Sequence, residues 1–144
     1  MTSSAKHFQI HVDDMKPAPV LKKDGWLKMD IRFLINKDNA GATEACFWRT
    51  VFPPGGAHER HTHPAAAEIL YVVRGRGAAG NGEDEYEAPA GTAIYVPKGS
   101  THWFRNLDSK QEVEIVGVYA PVGSLDDAGY IYVGEITDEF RRVH

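Results

Sequence analysis

Cysteine is nearly absent from this sequence. With Cys46 alone, no intramolecular disulfide can form and nothing calls for an oxidising compartment, so a cytoplasmic location is the expectation. Long apolar runs are missing as well. None approaches the ~18 residues of a membrane span, and residues 1–16 lack the continuous apolar stretch of a secretory signal. Neither a membrane partner nor a cleaved leader is expected. A positive field is lacking too: the net charge is −4 and the sequence pI is ≈ 5.9, which argues against nucleic acid and other polyanions as partners. Nor do helix caps with apolar spacing of 3.6 persist over ~10 residues anywhere along the chain.

What remains is a strand pattern. At 144 residues, with 42% hydrophobic and 25% charged, the chain has the size and balance of one soluble globular domain spanning 1–144. Phe8, Ile10 and Val12 alternate with His7, Gln9 and His11, predicting a first strand with one wet face. Residues 26–35 carry Leu27, Met29, Ile31, Phe33 and Ile35 on one parity, predicting a second. Further short strands are expected over 43–52, 68–73, 93–96, 102–106, 113–119 and 130–133, separated by Gly, Asn, Asp or Pro clusters. Residues 136–144 are read as a short helix or a tail, with His144 expected to be unordered. Many short strands between turns imply an all-β sandwich, barrel or jelly roll of antiparallel strands.

The chemistry gathers between Gly55 and Asn106. His61 and His63 are two apart, so on an extended segment both imidazoles face the same way, as two ligands of one ion must. Pro64 then turns the chain, and Glu68 at the start of the next strand can return its carboxylate to the same point. His102 brings a third imidazole from a separate hairpin. Three imidazoles and a carboxylate suit one divalent metal ion, with Zn or Fe favoured and Mn, Ni, Co or Cu also compatible. His58 lies three residues before His61 and would face away on a regular strand. A bulge after Gly55 and Gly56 would turn it inward as a fourth imidazole or as the group that moves protons, and His58 is the candidate catalytic residue.

Around these residues stand Gly55, His61, His63, Glu68 and Gly75, then Gly91, Pro97, Gly99, His102 and Asn106. In this framing the chain resembles the cupin superfamily, with every position of its two signature motifs filled. The resemblance implies a cupin jelly-roll β-barrel and carries the family's metal ligands onto His61, His63, Glu68 and His102. Within that superfamily the chain is similar to the small single-domain cyclases of bacterial aromatic polyketide pathways, which implies aldol-type ring closure of a poly-β-ketone. The same ligand set would serve a non-haem iron dioxygenase of an aromatic or β-diketone substrate, and a non-catalytic small-molecule-binding module is the third reading.

Leu70 and Val72 share parity with Glu68, and Phe104 with His102, so the metal is expected at the base of an apolar cavity taking an apolar or aromatic small molecule. Phe47, Trp48, Phe52, Tyr95, Trp103 and Phe104 are assigned to the core. Arg49, Arg74 and Arg105 are expected at the rim or surface, residues 83–87 at a solvated hairpin tip, and His7 and His11 at the surface. A homodimer is expected, with residues 8–12 adding a strand to a neighbour's sheet.

Overall fold

The computed structural model describes residues 8–144. Among them eleven strands form two antiparallel sheets. The strands are β1 (Trp26–Leu27), β2 (Asp30–Ile35), β3 (Cys46–Phe52), β4 (Ala57–Thr62), β5 (Ala67–Arg74), β6 (Arg76–Asn81), β7 (Asp84–Pro89), β8 (Ala93–Val96), β9 (His102–Asn106), β10 (Val113–Ala120) and β11 (Ile131–Gly134). The larger sheet has the order β1-β4-β9-β6-β7 with β11 also on β4, and the smaller has β2-β3-β10-β5-β8. Helix is confined to single turns, α1 (Lys37–Ala40) and α2 (Leu125–Ala128), and three short 3-10 turns. The all-β sandwich expected from the sequence is what forms.

Alternation decides which side chains enter the core. Along β5, Glu68, Leu70 and Val72 are buried while Ile69, Tyr71 and Val73 face out, and along β10 Val113, Ile115, Gly117 and Tyr119 are the buried set. Trp26, Ile31, Trp48, Phe52, Leu70, Val72, Phe104, Ile115 and Tyr119 belong to one cluster fed by both sheets. Each large apolar side chain so buried contributes about 1.5–3 kcal/mol.

Several expectations are corrected. No strand forms at the start of the described chain: Phe8 is 91% exposed, and Val12–Asp14 is a 3-10 turn in which the His11 side chain accepts from the Asp13 amide. The amides of Asp13, Asp14 and Met15 are held locally by His11 and Val12, closing a turn where the strand was expected to run. His7 lies outside the described residues. The stretch 26–35 is two strands, because Lys28 takes a left-handed φ of 54°. The chain changes sheets there, so Trp26 enters the main core while Leu27 packs on a second, smaller cluster. Phe47 and Tyr95, expected inside, stand on the outer face of the smaller sheet at 37% and 63% exposure.

Nor are residues 83–87 a solvated tip throughout. Glu85 is fully buried. It accepts hydrogen bonds from Trp103 Nε1 at 3.0 Å and from Arg105 Nε and Nη2 at 2.8 Å each, so Arg105 is no free surface charge. The tail is ordered onto the same strand, with the His144 amide donating to Glu85 O and the Glu87 amide donating to His144 O.

Candidate metal centre

Two adjacent strands and one strand of the opposite sheet build the site. His61 on β4 is directly paired with His102 on β9. His63 lies just past β4, and Glu68 is the second residue of β5 across the sandwich. Their burial is nearly complete, at 2% exposure for His61 and His63, 4% for His102 and 5% for Glu68. The structure thus brings His61, His63 and His102 into one group, with Glu68 beside it.

Each imidazole is oriented from behind. Nδ1 of His61 donates to Glu59 O, that of His63 to Gly129 O at 2.7 Å, and that of His102 to Ser100 O at 3.0 Å. A proton held on Nδ1 leaves the lone pair on Nε2. Those three Nε2 atoms are buried without a hydrogen-bond partner, and one ligand atom from each of these residues falls within 4.8 Å of the others. Three orphaned acceptors converging on one point form a group that can hold a metal ion, since a cation supplies the partner that each lacks. Glu68 reaches into the same space, with Oε1 3.1 Å from His102 Nε2 and Oε2 3.9 Å from His63 Nε2. The nearer contact lacks hydrogen-bond geometry, as expected of two groups aimed at a common point rather than at each other.

Electrostatics keep the His61 and His63 rings unprotonated and ready to ligate. Burial, and then the adjacent imidazoles, hold His61 well below the ordinary histidine range. Burial lowers His63 as well, against the pull of Glu68. At His102 burial also acts downward, but the neighbouring Glu68 carboxylate and the Ser100 carbonyl outweigh it and raise the group.

His58 faces inward too, by a device the sequence placed elsewhere. In the pairing of β4 with β9, His58 matches Phe104 and His61 matches His102, so three steps on one strand oppose two on the other. One extra residue is inserted between His58 and His61, not after Gly55 and Gly56. This bulge restores His58 to the face its odd spacing denied it. Its ring stacks on His61 at 3.6 Å between centroids and on Trp26 at 3.9 Å. It stands outside the group of three, with its Nε2 3.1 Å from the Tyr130 hydroxyl. That hydroxyl donates its only proton to Asp24 O at 2.5 Å, so His58 Nε2 must be the donor and Nδ1 carries the lone pair. Burial and the charge of nearby histidines keep His58 well below its ordinary range, hence neutral.

Tyr130 and Tyr119 were not anticipated as parts of the site. Tyr119 is buried in β10, its ring 4.7 Å from His63, and burial followed by Glu68 raises its hydroxyl far above the usual range. The signal for it was weak: its alternation with Val113 and Ile115 reads as ordinary core.

Beside the metal group lies a narrow cavity of about 30 Å³, walled by Ile31, Phe52, Leu70, Val96, Phe104 and Ile115 among others, with His58, His61, Glu68 and His102 at its polar end. No Lys or Arg lines it. The expected apolar cavity is therefore present beside the three histidines.

Comparison with known proteins agrees with this architecture. A protein of Methanocaldococcus jannaschii, the uncharacterised MJ1618, is 27% identical over 92 residues, 64% of this chain and 71% of that protein. The polyketide cyclase RemF from Streptomyces resistomycificus superposes with a TM-score of 0.72 at 20% identity, covering 93% of this chain and 90% of that one. A predicted oxalate decarboxylase from Thermotoga maritima does so with a TM-score of 0.67 at 18% identity, over 80% of this chain and 100% of that one. Likeness at these identities shows the fold. The family model described as the cupin domain matches residues 48–119, the span holding His58, His61, His63, Glu68 and His102, and the chain belongs to that family.

Proposed function

We propose that this cupin is a metal-dependent enzyme of carbonyl chemistry acting on a neutral, apolar small molecule, with aldol-type ring closure of a poly-β-ketone as the favoured reaction. The observation that carries the reading is the pairing of three partnerless Nε2 atoms with a cavity free of cationic side chains. With Glu68 ionised, a bound divalent ion would leave one net positive charge, so a dianion such as oxalate would keep one charge with no Lys or Arg of the cavity to balance it, at a desolvation cost. A neutral ketone meets no such cost.

His61, His63 and His102 would hold the ion through Nε2, with Glu68 as the fourth ligand and the neutralising charge. An ion bound there polarises a carbonyl oxygen and acidifies the adjacent C–H. His58 Nδ1, neutral and kept in its tautomer by Tyr130 and Asp24, takes the proton from the carbon between two carbonyls. That carbon would then bond to a second carbonyl carbon of the same chain and close the ring, the carbonyl oxygen taking the proton back from His58, after which the hydroxyl leaves as water with the remaining hydrogen of the attacking carbon to form a double bond. The apolar walls exclude bulk water and hold the chain folded for closure. The cavity is small, yet above the ~10–15 Å³ that one water needs. A chain-length substrate would therefore need the walls to part, for which the half-buried lining residues Met29, Ala79 and Ile94 are the place we propose.

Elemental analysis of untagged protein purified without chelator tests the reading, with His61→Ala as control. Divalent metal near one equivalent in the wild type and its loss in the variant are expected. Absence of metal from both would overturn the proposal. Zinc fits ring closure, whereas iron with O₂ uptake on a β-diketone would move the assignment to a dioxygenase.

A further inference from the structure

Two polar atoms inside the sandwich remain unexplained by the metal group. Trp48 Nε1 and Thr50 Oγ1 are buried without a hydrogen-bond partner, and both residues line the cavity. They are 3% and 1% exposed. In an interior where buried polar groups are almost always paired, two orphans on one wall of one cavity need a ligand.

Their placement follows from strand register. Across the smaller sheet, Glu68, Tyr119 and Cys46 form one inward row, Leu70, Gly117 and Trp48 the next, and Val72, Ile115 and Thr50 the one after. Successive inward rows are about 7 Å apart. Trp48 is therefore one row, and Thr50 two rows, from the level of Glu68. Space for the indole is made on the same row: a Cβ on Gly117 would lie 2.4 Å from Trp48 Cζ2. The ring is seated on a glycine, its N–H left unpaired.

We propose that Trp48 and Thr50 are substrate-positioning donors, and that the cavity recognises a linear molecule whose carbonyl oxygens recur along an apolar chain. This rests on the carbonyl reading above and narrows its substrate class. The indole N–H can only donate, so its partner must be an acceptor. With one oxygen at the metal row, a second acceptor farther along the chain meets Trp48 and a third is offered Thr50. A β-polycarbonyl places an oxygen on every second carbon and so always presents one at either donor. A monoketone of equal length leaves both donors unpaired.

The test compares 2,7,12-tridecanetrione, whose carbonyls recur about every 6–7 Å of extended chain as the inward rows do, with 2-tridecanone, binding each to zinc-loaded protein by calorimetry and following the indole N–H resonances by NMR. The resonance missing from Trp48→Phe should move downfield with the trione and stay in place with the monoketone. Trp48→Phe should weaken trione binding about five- to tenfold and leave 2-tridecanone unchanged. Thr50→Val, nearly isosteric, should act the same way to a smaller degree, which keeps the test open if the tryptophan variant folds poorly. An unmoved indole, or trione affinity unaltered in both variants, would mean that water alone occupies these donors, and the proposal would fall. Should both ketones bind in a manner lost in His61→Ala while the indole stays still, only the positioning role fails. If neither ketone binds the loaded wild type, the carbonyl reading fails and takes this inference with it.

Discussion

Glu85 is a carboxylate with no solvent exposure, held by three hydrogen bonds from Trp103 and Arg105. A charge removed from water to that extent is tolerated only because its oxygens are fully occupied. Glu85→Ala would leave the Arg105 guanidinium, itself largely covered, facing an apolar hole. A loss of about 3–5 kcal/mol is expected from breaking such a pair, measured as a lowered denaturant midpoint. Glu85 lies outside the metal group, so metal content per folded molecule should not change. Cys46 behaves in the opposite sense, as a polar group made inert by burial. It has no exposure, and burial pushes its thiol up to about 12. At neutral pH almost none of it is thiolate, the reactive form. Iodoacetamide should therefore leave the native protein unmodified and label Cys46 only after denaturation, as mass spectrometry would show.

Glycine placement governs the strands as elements. A Cβ on Gly80 in β6 would fall 1.7 Å from the Trp103 ring, and one on Gly117 in β10 would meet Trp48 at 2.4 Å and the Ile69 carbonyl at 2.9 Å. These strand glycines are seats for indoles, and forcing in a methyl group typically costs about 1–3 kcal/mol. Gly117→Ala is expected to lower stability by that amount and to shift the Trp48 resonances, while Gly82→Ala, with no atom within 4 Å but a φ of +72°, should show only the smaller cost of a strained turn. Such detail marks the limit of what the sequence can say. His61 and His63 were legible because their spacing along an extended segment fixes a common face, Glu68 and His102 because the chain resembles the cupin motifs, and strands 93–96 and 102–106 matched residue for residue. The bulge beside His58 was not placeable, since it depends on how β9 counts against β4. The break at Lys28 and the burial of Glu85 likewise arise from partners distant in sequence. The segment 8–12 failed for a different reason: alternation alone, with no paired strand, does not outweigh a local cap.

At the scale of the molecule, one face remains uncovered. On the outside of the smaller sheet, Phe47, Val118, Ile69 and Tyr95 form one continuous row, with Val116, Tyr71 and Ala93 on the next. Phe47, Ile69, Tyr71, Val73 and Tyr95 are each between 37% and 63% exposed. Together they present on the order of 500 Å² of apolar surface, toward the upper end of what a monomer leaves bare. Beside it lie Arg49 with Glu114 at 2.7 Å and Arg74 with Glu112 at 3.2 Å, so the rim carries both signs and can meet its own copy about a two-fold axis. Patch and rim together approach the ~800 Å² per partner of a standard interface. We propose that the chain forms a homodimer by packing these sheet faces, rather than by strand addition through residues 8–12. Tyr71 and Ile69 point away from the metal, so Tyr71→Lys combined with Ile69→Lys tests the face alone. Light scattering should give a dimer for the wild type and a monomer with full metal content for the double variant. A wild type that is monomeric at high concentration, or a double variant that remains dimeric, would rule out this face as the interface.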